Sequence, residues 1–291
     1  MTAPRVLILG GTGMLGHKLW QILSPRMDTH VTVRTSEPGV ALLDGERTLP
    51  NVSAEDFDTV AQAVAAVEPD VVVNCIGIVK QVREAQDPLA SIAINSLFPH
   101  RVAQLCSAQG ARLIHVSTDC VFSGRTGGYA ESDIPDPVDL YGRSKLLGEV
   151  ADGDGLTIRT SIIGRELSGA RGLLEWFLGQ QGSVRGFQRA IFSGLTTQAL
   201  ARVVASVTAD HPTLTGIRHV AAQPISKFDL LALLRDAYRL DVEIVADVEV
   251  AIDRSLDGTA FEQDTGWHAD PWPDMVADLA ADETPYERLR S

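Results

Sequence analysis

Residues 6–16 read VLILGGTGMLG, and this stretch decides the fold class of the chain. Its first four residues are all apolar, which predicts a short strand buried on both faces of a parallel sheet. The second half is rich in glycine, and residues 17–23 after it have the pattern of a helix. A buried strand, a glycine turn and a helix in this order are typical of a dinucleotide-binding unit.

The four glycines of this stretch have separate predicted roles. Gly10 and Gly11 permit a tight turn, Gly13 lets the backbone approach a pyrophosphate, and Gly16 lets the helix pack closely on the strand. The unpaired N–H groups at the start of the helix, with the positive end of its dipole, would face the phosphates. A glycine-rich turn without a ligand is the alternative, and the flanking strand and helix favour nucleotide binding.

Composition excludes several classes of protein. The chain has 291 residues, a net charge of −13 and a pI of about 4.9, which argues against nucleic acid or an anionic membrane surface as a partner. Cys75, Cys106 and Cys120 are widely spaced and suit reduced thiols of a cytoplasmic protein. No histidine spacing suggests a metal site, and no apolar run is long enough for a membrane span or a signal peptide.

Strand and helix patterns alternate through the first half of the chain, which predicts a Rossmann-type doubly wound parallel sheet. The predicted strands are residues 30–33, 48–52, 70–76 and 112–117, and the predicted helices are residues 54–67 and 89–109. Gly77 follows the strand at 70–76 and lets the chain turn close to a bound cofactor.

Arg34 ends the second predicted strand and bears on the choice of cofactor. An acidic residue there would bind the ribose hydroxyls of NAD, whereas an arginine can receive the 2′-phosphate of NADP. Arg34 is followed by the hydroxyl residues Thr35 and Ser36, with no carboxylate before Glu37. The sequence therefore favours NADPH over NADH, and a solvated surface arginine is the alternative.

Catalytic chemistry is predicted at the end of the strand at 112–117. Thr118 lies there, and after a polar loop Tyr141 and Lys145 lie four positions apart at the start of a helix, so that they share one face. A free tyrosine has a pKa of about 10, and a fixed cation beside it would lower that value toward working pH. Tyr-x-x-x-Lys alone is common as an exposed helical pair, but here it follows a dinucleotide fingerprint and a strand-end hydroxyl.

With these motifs the chain resembles the extended short-chain dehydrogenases/reductases, and more narrowly the dTDP-4-dehydrorhamnose reductase family of nucleotide-sugar reductases. The similar segments are GGTGMLG, VVVNCIG, Asp87-Pro88 with Asn95, STDCVFSG, YGRSKLLGE, FSGLTT and DRSLDGTAFEQDTGW. The resemblance implies a Rossmann domain that binds NADPH and a smaller C-terminal α/β domain that closes over a nucleotide sugar. It implies a catalytic set of Thr118, Tyr141 and Lys145.

Further site residues follow from the resemblance alone. The implied cofactor contacts are Gly10, Gly13, Met14, Leu15, Gly16, Arg34, Asn51, Val52, Cys75, Ile76, Gly77, Asn95, Ser117, Tyr141 and Lys145. The expected substrate contacts are Lys80, Asp119, Cys120, Val121, Arg185, Arg189 and Arg254.

Two departures from the family pattern concern the sugar site. Related dehydratases carry an acidic pair after the strand-end threonine, but here Asp119 is followed by Cys120, which disfavours a dehydratase. The reductases usually carry an aromatic residue in place of Cys120 and a small-Pro-Thr sequence in place of Gly194-Leu195-Thr196. The family's usual sugar is therefore not assumed.

The second half of the chain divides between the two predicted domains. Residues 1–164, with 196–217 returning to them, are expected to form the NADP-binding domain, and residues 165–195 and 218–291 the substrate domain. Arg185 and Arg189 form a local basic cluster that could hold a substrate diphosphate, or lie in a solvated loop. Other predicted elements are strands at 157–163, 218–220 and 242–248 and helices at 172–178, 197–207 and from Ser226 to Tyr238.

The leading functional hypothesis is NADPH-dependent reduction of a keto group, at C4, of a nucleotide-linked deoxysugar. One alternative is a nucleotide-sugar epimerase that retains NAD, against which Arg34 argues. Another is a catalytically silent NADP-binding regulatory subunit, for which the intact Thr118, Tyr141 and Lys145 would have no evident purpose. Relatives often pair through the helices after the fourth and fifth strands, so a homodimer is possible.

Overall fold

Strands and helices alternate along most of the chain. The computed structural model describes residues 3–34, 39–80 and 86–290. In chain order the elements are β1 (Arg5–Leu9), α1 (Gly16–Leu23), β2 (Asp28–Thr32), β3 (Thr48–Leu49), α2 (Phe57–Val67), β4 (Val71–Asn74), α3 (Pro88–Ser91), a π-helical turn (Ile92–Leu97), α4 (Phe98–Gln109), β5 (Arg112–Val116), α5 (Leu140–Leu147), β6 (Leu156–Arg159), β7 (Ile162–Ile163), α6 (Leu173–Leu178), β8 (Gly182–Phe192), β9 (Leu195–Thr196), α7 (Thr197–Asp210), β10 (Gly216–His219), β11 (Ile225–Ser226), α8 (Lys227–Tyr238), β12 (Val242–Asp253), α9 (Thr259–Thr265), α10 (Trp272–Ala280) and α11 (Tyr286–Arg290).

A seven-stranded sheet forms the centre of the fold, in the order β10-β6-β5-β4-β1-β2-β3. Every strand pair in it is parallel. The strand order reverses between β1 and β4, and in such sheets ligands bind in the crevice outside the carboxyl ends of the strands at that point. The predicted Rossmann-type doubly wound sheet is confirmed.

The strand β1 is buried on both faces, as its apolar run predicts. Val6 and Ile8 contribute to one apolar cluster together with α1 and α7, whereas Leu7 and Leu9 contribute to a second cluster with α2 and α4. All four side chains are fully buried. The helix α7 packs on α1, beside the first strand of the large sheet.

The glycine turn after β1 has no room for side chains. A Cβ on Gly16 would lie 2.1 Å from the carbonyl oxygen of Gly10, and a Cβ on Gly11 would lie 2.0 Å from Cγ2 of Val31. Gly10 has a φ of +88°, a conformation that side chains other than glycine rarely adopt. These close approaches hold α1 against β1 and β2 and direct its N-terminus toward the crevice.

A smaller three-stranded sheet, in the order β11-β8-β12, carries much of the second half of the chain. The strands β8 and β12 are parallel, and α8 packs on both. Arg185 and Arg189 lie on β8, so the loop alternative for residues 183–190 is wrong. Pairing between β8 and β12 along most of their length explains the difference, because the partner strand is distant in sequence.

The strand predicted at 157–163 is two strands. The first, β6, belongs to the large sheet, whereas β7 leaves it and pairs with β9. Gly194 permits this, because a Cβ there would lie 2.1 Å from the carbonyl oxygen of Ser161. The strand β10 is the edge of the large sheet and runs across the domain boundary predicted after residue 217.

No helix in the described ranges is both long enough and apolar enough to cross a bilayer.

Candidate active site

The carboxyl ends of β1, β4 and β5 meet at one edge of the large sheet, and most predicted cofactor residues lie there. Gly10, Gly13 and Gly16 follow β1, with Leu15 buried just before α1. The sulfur of Met14 lies 3.8 Å from the position that a Cβ on Gly172 would take, so the glycine turn is adjacent to the segment before α6.

The end of β4 brings three of the expected cofactor residues toward α5. The backbone of Ile76 is fixed by a 3.0 Å hydrogen bond to the amide oxygen of Asn74. A Cβ on Gly77 would lie 3.4 Å from Oδ1 of Asn95 and 4.0 Å from Nζ of Lys145. The backbone at Gly77 thus lies within van der Waals reach of both Asn95 and the Lys145 ammonium.

Asn95 joins the chain after β4 to α5. Its Oδ1 accepts a 2.8 Å hydrogen bond from the backbone of Ile78, and its Nδ2 donates to the Ile78 carbonyl at 3.0 Å and to Oγ of Ser144 at 3.2 Å. Asn95 lies in the π-helical turn that interrupts the single long helix predicted at 89–109. Such single turns are frequent at functional sites, and here the extra residue aims the amide inward.

Thr118 directly follows β5, and Tyr141 lies in the first turn of α5. The Thr118 hydroxyl donates to Oδ1 of Asp119 at 3.0 Å and accepts from the backbone of Cys120 at 3.1 Å. Asp139 caps α5 by accepting from the backbone of Gly142 at 2.8 Å, which fixes the first turn that carries Tyr141. The role of Thr118, which is to hold a substrate oxygen in line with the phenol of Tyr141, stays a prediction.

The phenol of Tyr141 differs in one respect from the sequence prediction. Burial raises its pKa, and the neighbouring side chains of Cys120 and Asp119 act in the same direction, while Thr118 opposes the rise. The predicted lowering by Lys145 is therefore wrong for this structure, because the cost of burying a phenolate dominates. The phenol is protonated at neutral pH, which is the form that a proton donor requires.

The ammonium of Lys145 is buried and faces the C-terminal end of β5. It donates a 2.8 Å hydrogen bond to the carbonyl oxygen of Val116. Burial lowers the pKa of Lys145 to about 8, while the charges of Glu149 and Cys75 act to raise it. With a pKa of about 8, Lys145 is mostly cationic at neutral pH.

The residues expected at the adenosine end lie at the ends of β2 and β3. Arg34 is exposed just after β2, and Val52, which is buried, pairs its backbone with Val33 across the turn. Asn51 beside it has a φ of +61°, which asparagine tolerates better than most residues. The predicted neighbours of Arg34, Thr35 to Glu37, lie outside the described residues.

On the substrate side, Asp119 and Cys120 lie beside the phenol and near cationic side chains. Burial raises the pKa of Asp119, and Arg254 and Lys227 oppose the rise. Burial also raises the pKa of Cys120 to about 12, so its thiol is protonated and a poor nucleophile. Arg254 is held by a 2.9 Å hydrogen bond from its Nε to the carbonyl oxygen of Phe122.

Two other expected substrate residues have partners within the chain. Lys80 forms a 2.6 Å ion pair with Asp139, the residue that caps α5. Val121 is fully buried in a small apolar cluster with Phe122 and Tyr129, so its side chain presents no surface to a substrate.

Arg185 is committed to an ion-pair network on the small sheet. It pairs with Asp247, and with Glu249 at 2.8 Å, both on the neighbouring strand β12. Arg189 is exposed on the same strand as Arg185. The sequence prediction that Arg185 and Arg189 hold a diphosphate does not include the acidic partners of Arg185. These partners lie on β12, and only the pairing of β12 with β8 brings them close.

Two side chains near the site have no role in the sequence prediction. Lys227 begins α8, and its charge acts on Asp119 and Cys120, although no motif marks it. Glu149 follows α5 and lies four positions after Lys145, a spacing that continues the Tyr141–Lys145 pair and could have indicated it.

The arrangement combines a protonated phenol, a hydroxyl and a buried cation beside a glycine turn. These groups can bind a carbonyl oxygen, give it a proton and stabilise the phenolate that results. Among the described residues, no group of three or more His, Cys, Asp or Glu side chains could hold a metal ion.

Several known proteins have sequences similar to parts of this chain. A segment of 169 residues is 31% identical to dTDP-4-dehydrorhamnose reductase of Mycolicibacterium smegmatis and covers 56% of this chain and 47% of that one. A segment of 147 residues is also 31% identical to methionine adenosyltransferase 2 subunit beta of Rattus norvegicus and covers 50% of this chain and 42% of that one. The matches span about half the length of these relatives.

A solved structure shares the fold over nearly the whole chain. The dTDP-4-dehydrorhamnose reductase of Bacillus anthracis, in complex with NADP, aligns with a TM-score of 0.79 at 20% identity, covering 95% of this chain and 98% of that one. The model of the family described as the RmlD substrate binding domain matches residues 4–282. The chain therefore belongs to the RmlD substrate binding domain family.

Proposed function

We propose that the protein is an NADPH-dependent reductase of a keto group, at C4, of a nucleotide-linked deoxysugar such as a dTDP-4-dehydro-6-deoxyhexose. The observation that carries the proposal is the placement of α5, which bears Tyr141 and Lys145, at the strand ends: Nζ of Lys145 lies 4.0 Å from the position that a Cβ on Gly77 would take. Thr118 directly follows the neighbouring strand end of β5. Membership of the family and the similarity to the Mycolicibacterium smegmatis reductase support the substrate class.

NADPH, when bound, supplies the hydride that reaches the carbonyl carbon. The Tyr141 phenol gives its proton to the carbonyl oxygen, so that the ketone becomes an alcohol and the phenol becomes a phenolate. The Thr118 hydroxyl binds the same oxygen and holds it in line with the phenol. The Lys145 cation stabilises the phenolate until solvent returns the proton.

The site residues keep the roles that the family resemblance implies. The glycine turn binds the pyrophosphate, and Arg34 binds the 2′-phosphate that distinguishes NADPH from NADH. The NADP complex of the Bacillus anthracis protein, which has the same fold, is consistent with this preference. Asp119, Cys120 and Arg254 line the part of the site that binds the sugar. The second half of the chain forms the substrate domain. The enzyme is cytoplasmic.

A panel of ligands tests this function. Thermal unfolding is measured with NADPH, with NADH, and with dTDP-, UDP- and GDP-linked sugars, followed by NADPH oxidation with 4-keto derivatives of the sugars that bind. The proposal predicts stabilisation by NADPH and by one class of nucleotide sugar, and turnover of its 4-keto form.

Two other outcomes identify the rival functions. Tightly held NAD that co-purifies with the protein would indicate an epimerase. Binding of NADPH with no binding of any nucleotide sugar would indicate a regulatory role, such as the subunit name of the Rattus norvegicus relative suggests for that protein.

A further inference from the structure

A buried ion pair lies directly behind the candidate catalytic residues. Glu149 accepts two hydrogen bonds from Arg159, at 2.8 Å from Nε and 2.7 Å from Nη2. Both side chains are only 4% exposed. Arg159 ends β6, so the pair joins the C-terminal end of α5 to the large sheet. A charged pair at this depth requires such bidentate geometry to offset the cost of removing both ions from water.

The same carboxylate holds the strand end that carries Thr118. The hydroxyl of Ser117 donates to Oε1 of Glu149 at 2.7 Å. The backbone N–H of Ser117 donates to the carbonyl of Ile158 on β6, also at 2.7 Å. Ser117 is thus fixed through both its side chain and its backbone, and the peptide that follows it sets the position of the Thr118 hydroxyl.

Glu149 also acts on Lys145 through its charge. The carboxylate raises the pKa of the Lys145 amine, against the lowering that burial causes. Other titratable groups near Lys145 are Cys75 at the end of β4, His115 on β5 and Tyr141 one turn earlier on α5. Glu149 itself is near Arg159 and His219. Glu149 therefore acts on two candidate catalytic residues. It fixes Ser117, the neighbour of Thr118, by a hydrogen bond, and its negative charge favours the cationic form of Lys145.

We propose that Glu149 is a positioning residue of the reduction, which aligns Thr118 through Ser117 and maintains the positive charge of Lys145. The proposal rests on the reductase function proposed above. A purely structural ion pair, which only fastens α5 to β6, is the alternative. The two differ in the pH dependence that they predict, because only the first links Glu149 to the charge of Lys145.

The pKa of Lys145 determines the direction in which turnover changes with pH. Its cationic form, which stabilises the phenolate, predominates below a pKa of about 8 and is lost above it, so turnover falls on the alkaline side. Glu149→Gln keeps the size of the side chain and an acceptor for Ser117 but removes the negative charge. The alkaline limb of kcat should therefore move to lower pH, by about one unit or more.

Two further variants separate the effect of the Glu149 charge on kcat from effects on protein stability and on the position of Ser117. Glu149→Gln leaves the Arg159 cation buried without its partner, so the double variant Glu149→Gln/Arg159→Met removes both charges and is the better folded form. It should show the same direction of shift. Ser117→Ala keeps the charges and removes only the hydrogen bond, so kcat should fall several-fold at every pH while the alkaline limb stays in place.

The pH dependence of NADPH affinity gives a readout that needs no sugar. Lys145 is expected to bind the cofactor ribose, so the alkaline loss of NADPH affinity should move in the charge variants as kcat does. An alkaline limb that stays in place in folded Glu149→Gln and in the double variant, by both measurements, would overturn the role of Glu149. A wild-type protein that binds NADPH but reduces no 4-keto sugar would instead contradict the proposed function.

Discussion

The two sides of the crevice hold their polar groups in different ways. On the proton-transfer side, Tyr141 and Lys145 are directed by the strand ends, with the Lys145 ammonium bonded to the Val116 carbonyl. On the small sheet, Arg185 has a side chain 60% exposed and paired with Asp247 and Glu249. The first side is built before any ligand arrives, whereas the second holds its charge in ion pairs that a ligand would have to compete for.

This difference indicates where the chemistry and the specificity of the protein reside. A preorganised donor and cation cost nothing to arrange during the reaction, so changes there should affect kcat strongly. An exposed arginine in an ion pair contributes little to binding, because solvent screens it and its acidic partners remain in place. Variants on the two sides should therefore differ in size and in the kinetic constant that they change.

The largest effect is expected for Tyr141→Phe. This change removes the proton donor and keeps the ring, so kcat for the 4-keto sugar should fall roughly 100- to 10,000-fold, the usual contribution of a general acid. NADPH affinity should change by less than about threefold, since the ring of residue 141 and all the other expected cofactor contacts remain. Steady-state rates and fluorescence titration with NADPH measure the two effects.

A matched control for this variant is Tyr238→Phe. Tyr238 ends α8, where its hydroxyl donates to the Leu279 carbonyl at 3.1 Å. Its loss should leave kcat close to that of the wild type. Full turnover by Tyr141→Phe, with normal binding of substrate, would mean that another group donates the proton.

An intermediate effect is expected for Arg34→Asp. The carboxylate would repel the 2′-phosphate of NADPH and could bind the ribose hydroxyls of NADH. The preference for NADPH over NADH, as the ratio of kcat/KM values, should fall roughly ten- to a hundredfold, as for the loss of one charge-assisted contact. Arg26→Asp, at another exposed arginine, controls for the change in net charge.

The smallest effect is expected for Arg185→Gln. Because the guanidinium already pairs with two carboxylates, KM for the nucleotide sugar should rise less than about threefold. Arg254→Gln is the matched comparison, since Arg254 lies near Asp119 and should raise KM more. An Arg185 effect larger than that of Arg254 would show that the diphosphate displaces Asp247 and Glu249, and would remove the contrast between the two sides.

Sequence patterns give a definite expectation for the proton-transfer side because two general rules are enough to place its residues. The carboxyl ends of parallel strands meet at one edge, so Gly77, Thr118 and the glycine turn come together once the strands are recognised. The four-residue spacing of Tyr141 and Lys145 then follows from the helix. The first prediction needs only the general topology of a parallel sheet, and the second needs only the period of the helix.

The remaining features depend on contacts that periodicity does not encode. The acidic partners of Arg185 lie on β12, and the register between β8 and β12 is set by tertiary packing. The π-helical turn around Asn95 is read as ordinary helix because both have similar apolar spacing. The raised pKa of Tyr141 reflects burial, which the identity of its helical neighbours does not reveal.

A crystal structure with NADP⁺ bound tests the central claim most directly. The account predicts that the nicotinamide ring lies over Gly77 with its reactive edge toward the Tyr141 hydroxyl, that Lys145 binds the adjacent ribose, and that the pyrophosphate contacts the glycine turn. A ring bound elsewhere, or a Tyr141 hydroxyl turned away from the ring, would contradict it.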